Sequence, residues 1–485
     1  MLSAIEKTGK YVVISAVVLI AVMLNTAGAD DTPLAIGSRL ELFTDNYLID
    51  SMQGTELKLH APHQGKKVIS FDKPWEGEFV GYCTIIEDDG LFRLYYRGYP
   101  ESTKKQVTCY AESRDGISFT KPDIGIYEID GTRNNNIILA DAGSVTHNFS
   151  PFIDTRPGIP RSERYKALGG SSKTGLIGYV SGDGIHWKKI QDKPLITEGA
   201  FDSQNVAFWS DSEGCYVCYF RTWTQGEFEG FRSISRATSK DFIVWTEPVE
   251  MSYGDTPHEH LYTNQTTPYN RAPHIYLALP MRFMPGRQVL TDAQAKKLGV
   301  IGKYKGDCAD CVLMTSRGGN RYDRTFMEGF IRPGTDIGNW ASRAGMTVLG
   351  VVQTAPKELS IYKQANYAQP TAHLVRFTLR TDGFASVHAP YDGGTMVTKP
   401  LIFEGEELVI NFSTSAAGLI KVALLDEAGK PFPGFGPDES VETIGDEIER
   451  VVSWKQGTDV SALVGKPVRV RFDMKDADLY SICFR

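Results

Sequence analysis

Five short turn segments recur along the chain, and they constrain its fold more than any other feature. They are 113–119 (SRDGISF), 181–187 (SGDGIHW), 239–245 (SKDFIVW), 316–322 (SRGGNRY) and 380–384 (RTDGF). Their third positions are 115, 183, 241, 318 and 382, a spacing regular enough to mark a repeated structural unit. Asp-Gly favours tight turns because glycine tolerates the positive φ such turns need. The aromatic residue a few positions later is placed to pack between neighbouring sheets. Each turn follows β-like runs. In the first unit these are 82–87, 92–97 and 107–112. In the third they are 206–209, 216–220 and 233–238, and in the fourth 261–265, 275–279 and 311–315. About four strands per unit is the signature of a propeller blade. Five units predict a five-bladed β-propeller over residues 40–392, with ring closure expected from the strand near Leu42 to Ile49. A six-bladed sialidase-like propeller is the competing reading. Its Asp-box has an extra residue between Asp and Gly, whereas Asp115-Gly116 and Asp183-Gly184 are adjacent here.

After His388-Ala-Pro390 the pattern changes to short alternating runs at 408–412, 419–424, 451–454, 468–472 and 479–483. Turn residues separate them, and the segment 395–485 reads as a β-sandwich. It carries no obvious catalytic cluster and either caps the propeller or binds sugar. The predicted fold class is therefore all-β: a five-bladed β-propeller followed by a C-terminal β-sandwich.

The N-terminus reads as an export signal over 1–29. Lys7 and Lys10 precede an apolar run from Val12 to Leu24, and Ala27-Gly28-Ala29 is a small-residue cleavage site. An uncleaved membrane anchor is the alternative; the export reading implies a periplasmic or extracellular location. The net charge of −7 gives no basic face for a nucleic acid. Seven cysteines leave at least one unpaired. Cys215 and Cys218 lie in one strand-like run, where residues three apart point to opposite faces and cannot share a metal. Buried thiols, or a disulfide such as Cys308 with Cys311, fit better. The sequence calls for no cofactor and no metal.

Propellers bind ligands where the innermost strands converge, so polar residues at the starts of those strands are the site candidates. Asp45, Glu76 and Glu78 precede the first unit; His147 and Asn148 open the second. Asp202, Gln204 and Asn205 open the third, and Glu259, His260 and Tyr262 open the fourth. Cleaving a glycosidic bond classically needs two carboxyl groups, one to protonate the leaving oxygen and one to act as nucleophile or base. Glu259, flanked by two histidines, is the expected general acid. Asp202 is the expected second carboxylate and Asp45 the third candidate. Each also fits a turn or a solvated loop. His147, Asn148, Gln204, Asn205, His260 and Tyr262 are the expected sugar-contacting groups. Arg97, Arg221 and Arg282 each end a second strand, which points either to ion pairs linking blades or to an anionic ligand. Arg271 and Arg343 are weaker candidates of the same kind.

The chain resembles the five-bladed glycosidase clan that includes glycoside hydrolase families 32, 43 and 68, and in particular a group of exported bacterial propeller proteins. The residues that carry the resemblance are 42–49, 147–151, 164–168, 201–206, 259–265, 330–334 and 475–480. The clan carries Asp on its first and second blades and Glu on its third. Here the second unit has His147-Asn148, and Asp202 and Glu259 fall on the third and fourth. The resemblance implies a glycoside hydrolase acting on a poly- or oligosaccharide, with a carbohydrate as its partner. A non-catalytic carbohydrate-binding propeller would keep the aromatic and amide groups without paired carboxyls. A sialidase-like enzyme would show an arginine triad and a tyrosine nucleophile.

Overall fold

The computed structural model describes residues 32–226 and 228–485; the expected export signal lies outside them. Five sheets make the ring. The first has strands Gly81–Asp88, Leu91–Gly98, Val107–Ser113 and Ile137–Leu139. The second has Ser150–Ile153, Tyr165–Ser171, Gly175–Ser181 and Lys188–Lys189. The third has Val206–Ser210, Cys215–Trp223, Arg232–Ser239 and Val249–Glu250. The fourth is built on Thr266–Tyr269, Ala272–Ala278 and Met314–Ser316, and the fifth on Val352–Ala355, Glu358–Ala365 and His373–Arg380. The first strands of all five line one central cavity of about 430 Å³, which opens at the end of the channel where those strands finish. The protein is a five-bladed propeller.

The turns that announced the repeat knit the ring together. In three of them one aspartate oxygen accepts two backbone N–H groups: Asp115 from Ile117 and Ser118, Asp183 from Ile185 and His186, Asp241 from Ile243 and Val244. An aromatic of the segment packs on the preceding blade in every unit, and in the third it is Phe242, at the turn's glycine position, with Trp245 edge-on behind it. Phe119 meets Tyr362, Trp187 meets Tyr95, Phe242 meets Phe152, Tyr322 meets Tyr219 and Phe384 meets Tyr269, at centroid distances of 5.6 to 6.5 Å. Offset and edge-on aromatic pairs add to area burial, so one short segment both ends a strand and seals a blade junction. Gly184 occupies the left-handed position of its turn at φ +76°, and a Cβ there would meet the Tyr95 hydroxyl at 2.5 Å. Gly184→Ala should therefore destabilise the protein by about 1–3 kcal/mol, read as a lower urea midpoint at unchanged slope.

Ring closure differs from the sequence expectation. The strand that completes the fifth blade is His63–Ser70, antiparallel to His373–Arg380. Leu42 belongs elsewhere: Glu41–Leu42 pairs with Arg469–Phe484, and Ile49–Gln53 pairs with Gly394–Thr398. Glu56–Leu59 pairs with Ala385–Ala389, and Leu34–Gly37 runs parallel to Leu401–Phe403. The N-terminal strands thus join the C-terminal β-unit before the chain enters the ring. The correction has a simple cause: the run is apolar enough for either sheet, and no local feature identifies partners at the opposite end of the chain. Two long strands, Leu408–Leu425 and Arg469–Phe484, form the backbone of that unit. Their alternating burial turns Ile420, Val422, Val470 and Phe472 into one apolar core shared with Ile36, Phe43 and Leu48 from the N-terminal side.

The fourth blade carries an insertion. Its second and third strands continue past the sheet as a hairpin, Met281–Met284 with Cys308–Cys311, crowned by the helix Asp292–Leu298. Thr291 caps this helix with a capping box and Gly299 ends it at φ 72°. Leu290, Ala295, Val300 and Tyr304 of the insertion pack against Tyr82, Tyr262 and Tyr367, at the end of the ring where the first strands begin. All seven cysteines are free thiols, and six of them are buried. The disulfide considered for Cys308 and Cys311 is not formed; they stand at opposite ends of one four-residue strand.

Candidate functional site at the propeller mouth

The mouth is built where the first strands of the blades begin, and its backbone is strained. Tyr82, Phe201 and Gln265 all have φ near +50° without being glycine, as do Asn366 and Ala368 nearby. Such conformations persist where surrounding structure enforces them, and they concentrate at functional sites. Buried amides supply that enforcement. Asn148 donates to the carbonyls of Gly170 and Phe201, and Asn205 donates to those of Phe201 and Ser203. The Ser203 hydroxyl bonds the Tyr262 carbonyl at 2.7 Å. Gln204 bonds Cys83 and Thr84 across the channel, and Gln265 reaches Gln204 and the Thr347 carbonyl. Asn148, Gln204 and Asn205, expected to touch sugar, are 0% exposed. Their amides face the backbone, where they fix Asp202 and floor the mouth.

Two tyrosines sit above this floor. The Tyr82 hydroxyl donates to the Asp202 carbonyl at 3.0 Å. Arg221, side chain 1% exposed, holds the Asp202 carboxylate at 2.8 Å, bonds the Tyr262 carbonyl, and lies 4.3 Å from the Tyr262 ring centroid. Oδ2 of Asp202 has no hydrogen-bond partner among the described residues, and that carboxylate is 41% exposed. Arg343 and Arg232 lie 4.9 and 5.6 Å from the same ring. Burial would push the Tyr262 phenol up, but the guanidiniums of Arg343 and Arg221, with a hydrogen bond from Tyr82, more than offset it and the net shift is down. Burial pushes Tyr82 strongly the other way, so the two phenols are set apart.

Arg97 stacks at 4.8 Å on Tyr82, holds the Phe79 carbonyl, and touches His147 and the Tyr367 hydroxyl. Burial first, and then the charges of Arg97 and Arg221, drop His147 to about 3, so it is a neutral imidazole at neutral pH. His260 is lowered too, by burial and then by Arg232 and Arg221.

Glu259 stands apart from Asp202. Its Oε1 accepts from Arg282 at 2.9 Å and its Oε2 from Arg324 at 3.0 Å. Arg282 also clamps Asp310 through two bonds of 2.9 and 2.6 Å. Each Glu259 oxygen is thus engaged by a guanidinium, an arrangement that reads first as an ion-pair network. Glu259, Arg282 and Asp310 form an ion-pair wall in a cavity of about 830 Å³ lined also by His258, His260, Phe283 and Trp340. No hydrogen bond or ion pair links Asp202 to Glu259 among the described residues.

Asp45 is not at the mouth. It is 4% exposed and paired with Arg317, which also binds Glu41, where the terminal β-unit meets the fourth blade. Glu76 is likewise structural, bonded to Tyr96 and Lys121. Of the three arginines singled out, Arg97 and Arg221 come together at the mouth and Arg282 belongs to the cavity wall. Sequence reasoning missed Tyr82 and Arg232 and underrated Arg343. The widest gap between repeated turns, from 241 to 318, was the trace of the insertion that closes over them.

No protein-family model and no curated protein matches the sequence. Solved structures to which the chain is similar include a glycoside hydrolase at 12% identity and TM-score 0.43, spanning 66% of this chain and 92% of the other. A glycosyl hydrolase from Bacteroides ovatus follows at 13% and 0.40, spanning 66% and 94%. An N-acetylgalactosamine deacetylase from F. plautii, in complex with blood group B trisaccharide, stands at 11% and 0.42, spanning 67% and 95%.

Proposed function

We propose that the protein is a carbohydrate-active enzyme that cleaves a glycosidic bond at the propeller mouth, using Tyr262 and Asp202 rather than two facing carboxylates. The observation that carries this reading is a buried phenol drawn downward by guanidiniums, next to a half-exposed carboxylate with one free oxygen. An activated nucleophile of this kind meets the requirement for covalent glycoside cleavage. With Asp202 in its acid form, the proton on its free oxygen, the Tyr262 phenolate oxygen attacks the anomeric carbon, the bond to the leaving oxygen breaks, and that oxygen takes the proton from Asp202. Water then attacks the same carbon, gives its proton to Asp202 and releases the tyrosine. The aromatic and ion-pair walls of the adjoining cavity suit the remaining sugar units.

The test is a glycan-library screen of the protein beside its Tyr262→Phe and Asp202→Asn variants. Turnover by the wild type, lost by at least a hundredfold in both variants while sugar binding persists, is the expected result. Full turnover in Tyr262→Phe removes the assignment. Binding without turnover on every glycan favours a non-catalytic sugar-binding propeller.

A further inference from the structure

We propose that the sugar bound at the mouth carries an anionic substituent, a carboxylate or a sulfate ester, held between Arg232 and Arg343. The inference rests on the mouth being a carbohydrate site and adds the class of sugar. Both guanidiniums flank the same two rings. Arg232 lies 5.6 Å from Tyr262 and 4.9 Å from Phe283; Arg343 lies 4.9 and 5.7 Å from them. Neither guanidinium donates a hydrogen bond to a protein acceptor among the described residues, and Nε of each is buried without a partner. Neither pairs with a carboxylate there, and neither does Arg97 close by. Four arginines thus crowd two tyrosines, and Asp202 is the one carboxylate that pairs with any of them among the described residues.

Holding like charges together out of water is costly unless an opposite charge arrives. The cost is felt in the protein itself, since burial and then the nearby Arg221 charge disfavour the charged form of Arg232. This happens in a chain of net charge −7, so the positive mouth is a local construction and not a general property of the surface. Guanidinium forks match carboxylate and sulfate oxygens in pairs. The ring faces of Tyr262 and Phe283 hold both guanidiniums in place at low entropic cost. Phe283 also lines the 830 Å³ cavity, which offers room beside the clamp for further sugar units.

The experiment is calorimetric titration of the protein with methyl glucuronide, a sulfated monosaccharide and methyl glucoside, each in low and high salt. An acidic sugar should bind at least tenfold tighter than the neutral one, and added salt should weaken it. Arg343→Met and Arg232→Met should each lose at least tenfold for the acidic sugar and leave the neutral one unchanged, at an unfolding midpoint near that of the wild type. The two acidic probes separate a carboxylate site from a sulfate site. Equal binding of neutral and acidic sugars, absence of acidic-sugar binding, or indifference to both substitutions overturns the proposal. Cleavage of a neutral glycan unaffected by Arg232→Met would sink the anionic class and leave the enzyme reading standing. Acidic-sugar binding with no cleavage of any glycan would do the reverse.

Discussion

Replacing Arg221 with methionine should lower turnover on the true substrate by roughly a hundred- to a thousandfold. The side chain is nearly inaccessible and does two things at once: it grips the Asp202 carboxylate and lies over the Tyr262 ring. Methionine fills similar volume without charge, so the loss is electrostatic. The pH profile separates this from damage to the fold. Tyr262 is drawn below its usual range by Arg343 and Arg221 against burial. If the phenolate reacts, rate rises with pH as the proton leaves Tyr262. Without Arg221 the phenol moves up, and the rising limb of kcat/KM should move to higher pH. Arg221→Lys restores the charge but not the fork, and should return that limb part of the way. An unshifted limb in Arg221→Met would detach Tyr262 from the chemistry.

The largest effect on stability should come from Arg317→Met. Arg317 bonds Glu41 at 2.6 Å and Asp45 at 3.0 Å and stacks 3.9 Å from the Tyr47 ring. Both acids are all but inaccessible, at 0% and 4% exposure. Removing the cation leaves the buried Asp45 without an ion-pair partner among the described residues and Glu41 with Arg39 and His274 alone; breaking a buried pair typically costs about 3–5 kcal/mol. Acid should erase much of the difference. Burial pushes Glu41 up, but the hydrogen bond from His274 and the charge of Arg317 outweigh it and bring the carboxyl from 4.5 down to about 2. A carboxyl that titrates lower in the folded state gives stability that is complete above about pH 4.5 and is lost as pH falls towards 2. At about 1.4 kcal/mol per pH unit this is on the order of 3 kcal/mol. Denaturant curves at pH 7 should therefore separate wild type from variant widely, and curves near pH 3 should bring them together. Equal stability at pH 7 would show that the contact carries no weight.

How much of this was legible in the sequence depended on how local its cause was. The first three turns were readable because each is a self-contained knot, its hydrogen bonds made between close neighbours in the chain. The aromatic seals followed from the same segments. Ring closure was not readable, because His63–Ser70 and Leu42 are both plausible strands and their partners, at 373–378 and 481, lie towards the other end of the chain. Asp45 looked like a mouth acid for the same reason; nothing near it announces Arg317 on the fourth blade. The setting of Glu259 was hidden too, since a carboxylate flanked by histidines gives no sign that two arginines from later in the chain will engage both its oxygens. The strained backbone at Tyr82 and Phe201 had no sequence signal, because neither is a residue that prefers a left-handed conformation. Asp202 and Tyr262 stood out because they open the inner strands of their blades, and Arg221 because it ends a second strand.

The route of the chain also sets an order of assembly. Residues 34–59 are made first, yet every strand among them pairs with segments beyond residue 384. The strand that shuts the ring is held between those early segments and the first blade, and its neighbour ends at residue 380. While synthesis is under way the opening stretch has nothing to bind, and four blades can form before it is used. Contacts this distant in sequence are slow to form. A chain cut short within its terminal β-unit would therefore keep both strands of its ring-closing pair and still leave strands among residues 34–59 without the partners they pair with.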